Sequence, residues 1–234
     1  MKAMILAAGL GKRMQPLTNT TPKPLLKVGH RYLIEFHLEK LAEAGVQDVV
    51  INTHWLAEKL PAALGNGEKW GLNIQYSHEP ELLETAGGIR QALDYLVDDK
   101  VDTFLLINGD VYCEWDLHAW LNKALSTIAD KKAFLALVPN PPHHTEGDFC
   151  FQRNVSLLQL KSMTSDQAYT YSGIGLYHKS LFSELALGYR PLGPLLKEAI
   201  SKNFILGALE MNFWLDVGTP DRLEELILRT NKTM

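Results

Sequence analysis

The sequence predicts an α/β fold in which a mostly parallel sheet is covered by helices on both faces. Three observations carry this expectation. Short continuous apolar runs such as Ala3–Ala8 and Thr103–Ile107 suit strands buried on both faces. Segments with apolar residues at helical spacing alternate with such runs. The first run ends in a glycine and the other in Asn108-Gly109-Asp110, which is turn chemistry.

The elements follow in order. After Ala3–Ala8, the stretch from Gly9 to Pro24 has neither a helical nor a strand period, and a long loop inside a compact domain is usually functional. Ile34, Leu38, Leu41 and Ala42 keep helical spacing, and Gly45 can end that helix. Asp48–Thr53 reads as a strand, Trp55–Leu64 as a helix marred by Pro61, and Asn73–Ser77 as a strand. Ile89, Ala92, Leu93, Leu96 and Val97 fit one helical face, and the strand Thr103–Ile107 follows. Beyond Asp116 the pattern changes. A helix at Leu117–Leu125 precedes a strand at Phe134–Val138 and a loop at Pro139–Gly147. Phe149–Phe151, Val155–Leu160 and Tyr169–Tyr177 read as strands at hairpin spacing. Leu192, Leu195, Leu196, Ala199 and Ile200 mark a helix, and Phe213–Val217 a strand. Thr219 and Pro220 supply an N-cap and first-turn proline for the last helix. No linker, repeat or low-complexity stretch interrupts the chain. One domain over 1–234 is therefore expected, with an N-terminal half at 1–116 and a C-terminal half at 117–234.

Composition narrows the class. The 234 residues are 46% hydrophobic and 21% charged, with a formal charge of −4. A protein built on a broad basic face for nucleic acid is disfavoured. No apolar run approaches membrane-spanning length, and the N-terminus reads as a first strand rather than a signal peptide. The two cysteines, Cys113 and Cys150, form no CxxC pair, which excludes a disulfide scaffold and fits a cytoplasmic protein. The charge is unevenly placed: Met1–Ile34 holds Lys2, Lys12, Arg13, Lys23, Lys27 and Arg31 but no acid. Such a block is either a solvated face or an anion site, and its glycines favour the anion site.

The loop after the first strand would lie at the carboxyl edge of the sheet, where open α/β sheets bind ligands. Gly9 and Gly11 let backbone N–H groups approach an oxyanion closely. Arg13 offers a planar fork to phosphate oxygens, and Lys23, stiffened by Pro22 and Pro24, a point charge. A dinucleotide fingerprint is excluded because Met14 stands where its last glycine belongs. A Walker A loop is excluded because Arg13 follows Gly11-Lys12. Asp110 and Asp216 each end a strand on the same edge. They are candidates for a magnesium ion shared with substrate phosphates, or else turn and cap residues.

The run LAAGLGKRMQPLTNTTPKPLL resembles the signature of the sugar-1-phosphate nucleotidyltransferases, and the likeness extends through Asn108-Gly109-Asp110 to Asp216. Leu83–Ile89, Asn140–Phe149 and Tyr171–Ile174 are similar to the branch that transfers a uridylyl group from UTP to N-acetylmuramate 1-phosphate in peptidoglycan recycling. The resemblance implies a Rossmann-like, glycosyltransferase-A-like fold with a nucleotide-binding first half and a small β-rich sugar-binding second half. It implies that Leu6, Ala7, Ala8, Gly9 and Gly11 cradle the nucleotide, with Lys12, Arg13 and Lys23 at the triphosphate. Arg13 and Lys23 would be the catalytic cations. Glu84, Thr85 and Gly88 would lie beside the base, and Asn108 near the ribose or base. Asp148, Ser172 and Gly173 would face the sugar, and Asp110 with Asp216 would hold Mg2+. UTP and a sugar 1-phosphate are the implied partners.

Other conspicuous residues have plainer readings. His143-His144 are expected to shape a loop or touch the sugar phosphate rather than hold metal, and Trp214 to pack or stack on a ligand. Trp55, Trp70, Trp115 and Trp120 read as anchors. Arg153, Arg190 and Lys197 are unranked candidates for pairing a lactyl carboxylate. Two alternatives stay open: a uridylyl-, thymidylyl- or guanylyltransferase acting on glucose or mannose 1-phosphate, and a non-catalytic nucleotide-sugar sensor. A sensor would be expected to lose Lys23 or a metal carboxylate, and both are kept.

Overall fold

The structure is a computed structural model that describes residues 1–152, 156–160 and 167–233. The chain opens with β1 (Lys2–Leu6). The long loop that follows is wound into three 3-10 turns at Lys12–Met14, Leu17–Asn19 and Lys23–Leu25. A small hairpin, β2 (Lys27–Val28) and β3 (Arg31–Tyr32), leads into α1 (Leu33–Glu43). The alternation continues with β4 (Asp48–Thr53), α2 (Lys59–Leu64), β5 (Asn73–His78), α3 (Glu84–Leu96) and β6 (Thr103–Asn108). Then come β7 (Val111–Cys113), α4 (Leu117–Thr127), β8 (Ala133–Val138), β9 (Phe149–Phe151), β10 (Leu158–Leu160) and β11 (Ala168–His178). The chain closes with α5 (Leu192–Ser201), β12 (Ile205–Leu209), β13 (Trp214–Asp216) and α6 (Pro220–Thr233).

The main sheet runs β10-β9-β11-β6-β1-β4-β5, with β8 joining β11 to β12. β1 is parallel to β4 and β6, and β4 to β5. β11 lies antiparallel to β6, β8 and β9, so the sheet is mixed beyond β6. Successive side chains of a strand point to opposite faces, and the burial follows that rule. Ile5, Leu105 and Ile107 join a core with Leu38 and Leu41 of α1 and Trp120 of α4. Met4, Phe104 and Leu106 join a second core with Ile89 and Leu93 of α3 and Leu196 of α5. These two-sided strands carry the continuous apolar runs seen in the sequence.

A third cluster positions the site. Met14, with no exposed surface, packs with Val28, Leu33, Leu215, Val217, Leu223 and Leu226. The residue that breaks the dinucleotide fingerprint thus pins the glycine-rich loop to β13 and α6.

The structure departs from sequence expectation in a few places. α2 begins at Lys59, not Trp55, and Pro61 lies in its first turn, where a missing N–H disrupts no helical bond. The β2–β3 hairpin, β7 and β12 were not legible as separate elements. Gly207 interrupts the apolar run of β12, which pairs parallel with β8. The strand expected at Val155–Leu160 begins at Leu158, and Val155 lies outside the described residues.

Candidate active site

Because β1, β4 and β6 run parallel, their carboxyl ends open on one edge. A cleft of about 450 Å³ lies there. Leu6, Ala7, Ala8, Gly9, Gly11, Lys12, Lys23, Glu84, Thr85, Asn108 and Asp110 line it. Gly11 has φ +62°, and a Cβ on it would sit 2.8 Å from Thr18 Cγ2. Thr18 Oγ1 donates to the Gly11 carbonyl at 2.8 Å, and Trp55 Nε1 donates to the Thr18 carbonyl at 3.0 Å. Trp55, read only as an anchor, therefore braces the loop from outside.

Asn52, Glu79 and Leu82 also line this cleft and were not singled out from the sequence. The Ala7 N–H donates to Asn52 Oδ1 at 2.7 Å, and Asn52 Nδ2 donates to Glu79 Oε1 at 2.7 Å. The Leu83 N–H donates to Glu79 Oε2 at 3.1 Å. The chain of bonds ties the end of β1 to the start of α3. Burial pushes the Glu79 carboxyl above the usual range, against the lowering from Asn52 and Leu83. Gly88 does not line the cleft. It leaves room for this carboxylate, which a side chain there would overlap. A polar Asn inside the apolar strand run VVINT was the available signal.

A second cleft of about 390 Å³ adjoins the first and shares Asn108 and Asp110 with it. Arg13, His143, His144, Tyr171, Ser172, Trp214 and Asp216 also line it. The two carboxylates are brought together by the β7–β13 ladder. Asp216 pairs with Val111, and the Val217 N–H donates to the Asp110 carbonyl at 2.7 Å. Each carboxylate is matched by a cation. Lys23 Nζ lies 2.5 Å from Asp110 Oδ2, while Arg222 Nη1 donates to Asp216 Oδ1. His143 Nε2 is 2.8 Å from the same Asp216 oxygen. Arg222 and His143 were not singled out for this pairing in the sequence, which joins positions 79 residues apart.

The residues expected at the sugar fall in different places. Ser172 lines the second cleft, and its carbonyl accepts from Trp214 Nε1 at 2.9 Å. Asp148 and Gly173 line neither cleft. Asp148 Oδ2 accepts from the Tyr171 N–H at 2.8 Å, and Oδ1 lies 3.2 Å from His144 Nε2. The carboxylate thus holds β11 and His144, which do line the cleft. Gly173, at φ +81°, lets β11 pass the Asn108 side chain, where a Cβ would come within 2.5 Å of Nδ2. Arg190 is bonded through its backbone to Leu83 and Gly87 at the start of α3, and Lys197 is exposed on α5. Neither lines a cleft, and Arg153 lies outside the described residues.

Behind Asp110, His37 of α1 is buried. Burial lowers its pKa to about 4, with a bond to the Val111 backbone opposing. Among the described residues no three His, Cys, Asp or Glu side chains form a metal cluster. Asp110 and Asp216 nevertheless offer hard oxygen donors on one cleft, a set that suits magnesium when phosphates and water complete it. No helix among the described residues is long and apolar enough to cross a membrane.

Comparison with known proteins gives this geometry a context. The chain is 44% identical over 227 residues to N-acetylmuramate alpha-1-phosphate uridylyltransferase of Neisseria meningitidis, covering 96% of each chain. It is 30% identical over 232 residues to mannose-1-phosphate guanyltransferase of Neurospora crassa, spanning 61% of that protein. A solved Bacillus anthracis structure in complex with sucrose matches with a TM-score of 0.83 at 23% identity, covering 98% of this chain and 94% of that one. HddC of Yersinia pseudotuberculosis, complexed with GMP-PN, matches with a TM-score of 0.77 at 19% identity, covering 98% and 99%. These likenesses show the fold. The model of the nucleotidyl transferase family matches residues 2–233, and the chain belongs to that family of enzymes.

Proposed function

We propose that the enzyme transfers a uridylyl group from UTP to N-acetylmuramate 1-phosphate, giving UDP-N-acetylmuramate and pyrophosphate, in peptidoglycan sugar recycling in the cytoplasm. The observation that carries the reading is the 44% identity to a uridylyltransferase of that name, spread over 96% of both chains. The two clefts that meet at Asn108 and Asp110 agree with it, since a donor and an acceptor must be held side by side.

In this reading residues 1–116 hold the nucleotide and 117–234 the sugar, within one domain. The glycine-rich loop from Leu6 to Gly11 receives the triphosphate with backbone N–H groups. Lys12 and Arg13, which have no side-chain hydrogen bond or ion pair among the described residues, add charge. Glu84 and Thr85 lie at the base, and Asn108 at the junction of donor and acceptor. A phosphate oxygen of the sugar 1-phosphate attacks the α-phosphorus. A new P–O bond forms as the bond to pyrophosphate breaks. The nucleophile is already anionic, so the protein's task is positioning and neutralisation. Lys23 leaves Asp110 for the α-phosphate oxygens, and Asp110 with Asp216 would hold Mg2+. When bound, Mg2+ supplies Lewis-acid neutralisation of phosphate charge.

Pyrophosphate release, measured for each of the four NTPs against a panel of sugar 1-phosphates, tests the reading. UTP with N-acetylmuramate 1-phosphate is expected to give the highest kcat/KM. N-acetylglucosamine 1-phosphate, which lacks the lactyl carboxylate, should be at least ~10-fold poorer, because a group that pairs the carboxylate is then left unsatisfied. Equal values, or a preference for glucose or mannose 1-phosphate, would reject the acceptor while leaving nucleotidyl transfer standing.

A further inference from the structure

We infer that Arg13 and Arg222 form a two-arginine clamp, closed around Gly218, that binds a phosphate oxyanion of the acceptor or of pyrophosphate. The inference rests on the transferase reading above and adds Arg222 and Gly218 to the binding machinery.

Arg222 stands in the first turn of α6, where the positive end of the helix disfavours a cation. Its side chain is nonetheless only 12% exposed. Three groups aim it inward. Its Nε donates to Thr219 Oγ1 at 3.4 Å, its Nη1 donates to Asp216 Oδ1, and Nη1 lies 2.6 Å from His143 Nε2. Arg13 approaches from the phosphate loop on the other side. A Cβ built on Gly218 would overlap Arg222 Nη2 and lie 3.2 Å from Arg13 Nη2. Gly218 is not among the glycines with positive φ, so the absence of a side chain there serves space rather than backbone conformation.

Like charges gathered this closely repel, and an anion held between them offsets that repulsion. Asp216 answers Arg222, and Asp110 answers Lys23. Among the described residues nothing answers Arg13. The cluster therefore keeps an unmatched positive charge carried by planar forks, the geometry that fits phosphate oxygens. Arg13 and Asp216 line the second cleft beside Ser172 and Trp214; Arg222 and Gly218 lie just behind that lining, with Arg222 joined to it through Asp216 and His143. A sugar 1-phosphate and the pyrophosphate end of the triphosphate both present such oxygens.

Arg222→Gln, Arg222→Lys and Gly218→Ala are made in the full chain, and thermal unfolding checks that each folds. Two readouts follow. One is kcat/KM for N-acetylmuramate 1-phosphate and for N-acetylglucosamine 1-phosphate at saturating UTP. The other is calorimetric binding of inorganic pyrophosphate. A charge-assisted hydrogen bond lost from a phosphate is expected to cost about tenfold or more. Arg222→Gln should lower one readout by that factor, Arg222→Lys should fall between, and Gly218→Ala should follow Arg222→Gln because the atoms its methyl meets first are those of the guanidinium rather than backbone. An equal fall for both sugars with pyrophosphate binding kept assigns the clamp to the acceptor phosphate. Loss of pyrophosphate binding, with kcat/KM kept or lowered equally for both sugars, assigns it to the leaving group. A fall confined to the carboxylate-bearing sugar overturns the clamp, as does no change in either readout. Should the wild-type chain use no sugar 1-phosphate at all, the transferase reading fails, while pyrophosphate calorimetry on the variants still decides the clamp.

Discussion

Replacing Glu79 by Gln probes how the first cleft is held open. The carboxylate receives Asn52 Nδ2 at 2.7 Å and the Leu83 N–H at 3.1 Å, so both partners are donors. Asn52 cannot turn its amide over, because its Oδ1 already accepts the Ala7 N–H at 2.7 Å. A Gln at this position satisfies one donor with its carbonyl and turns an N–H toward the other. The site is 1% exposed, so solvent does not relieve the mismatch. An unsatisfied buried group costs about 1–3 kcal/mol. Burial already holds the Glu79 carboxyl above the usual range, so removing the charge returns part of that cost. The expected net loss is about 1–2 kcal/mol, or a Tm lowered by about 2–8 °C in a chain of this size. Ala7 and Glu79 line the first cleft, proposed for the nucleotide, and do not line the second. The KM for UTP should therefore rise while the KM for the sugar 1-phosphate stays. Thermal unfolding and steady-state kinetics measure both. A variant as stable as wild type with an unchanged UTP KM refutes the network's role, and so does one in which the acceptor KM moves instead.

His37 gives a pH dependence with a definite sign. Its pKa falls from the usual 6.5 to about 4 on folding, mainly through burial, so its contribution is full above pH 6.5 and is lost as pH drops toward 4. Wild type should lose about 3 kcal/mol more than His37→Leu across that window in denaturant titrations; parallel curves would disprove the burial of a neutral imidazole. Lys23→Ala should reduce kcat much more than it raises the KM for UTP, and calorimetry showing lost affinity alone would make Lys23 a ground-state anchor. Gly173→Ala combines a φ of +81° with a Cβ 2.5 Å from Asn108 Nδ2, so a loss of about 2 kcal/mol or more is expected in unfolding experiments, with activity falling as Asn108 is displaced.

Much of the first cleft was legible because it is local. One loop of consecutive residues, following a buried strand, carries Gly9, Gly11, Lys12 and Lys23, and all of them line the first cleft. Fold class was legible for a similar reason: the apolar runs of β1 and β6 feed cores on both faces, so their patterns are continuous. The second cleft was harder. His143, Asp216 and Arg222 meet through tertiary packing, and nothing in the spacing of positions 143 and 222 signals contact. Asn52 and Glu79 are joined across the parallel β4–β5 edge, a pairing that depends on register. Asp148 sits in a recognisable segment, but its partners, the Tyr171 N–H and His144, depend on the folding of β11 against the loop and are not written in that segment.

The pairing of charges bears on how two anions can be joined. Before substrates arrive, Lys23 is matched to Asp110 and Arg222 to Asp216, so neither carboxylate stands as a bare charge facing incoming phosphate. Two uncompensated carboxylates on this edge would repel a triphosphate. Each pair can exchange its partner, the cation moving to phosphate and the carboxylate to a divalent ion, without leaving a charge unmatched. That exchange requires short travel, and the packing provides for it. Met14 of the phosphate loop is fixed against Leu215 and Val217 of the β13 segment and Leu223 of α6. The chain segments bearing Arg13, Asp216 and Arg222 are thus held in one apolar cluster, and the reorganisation falls to the side-chain tips.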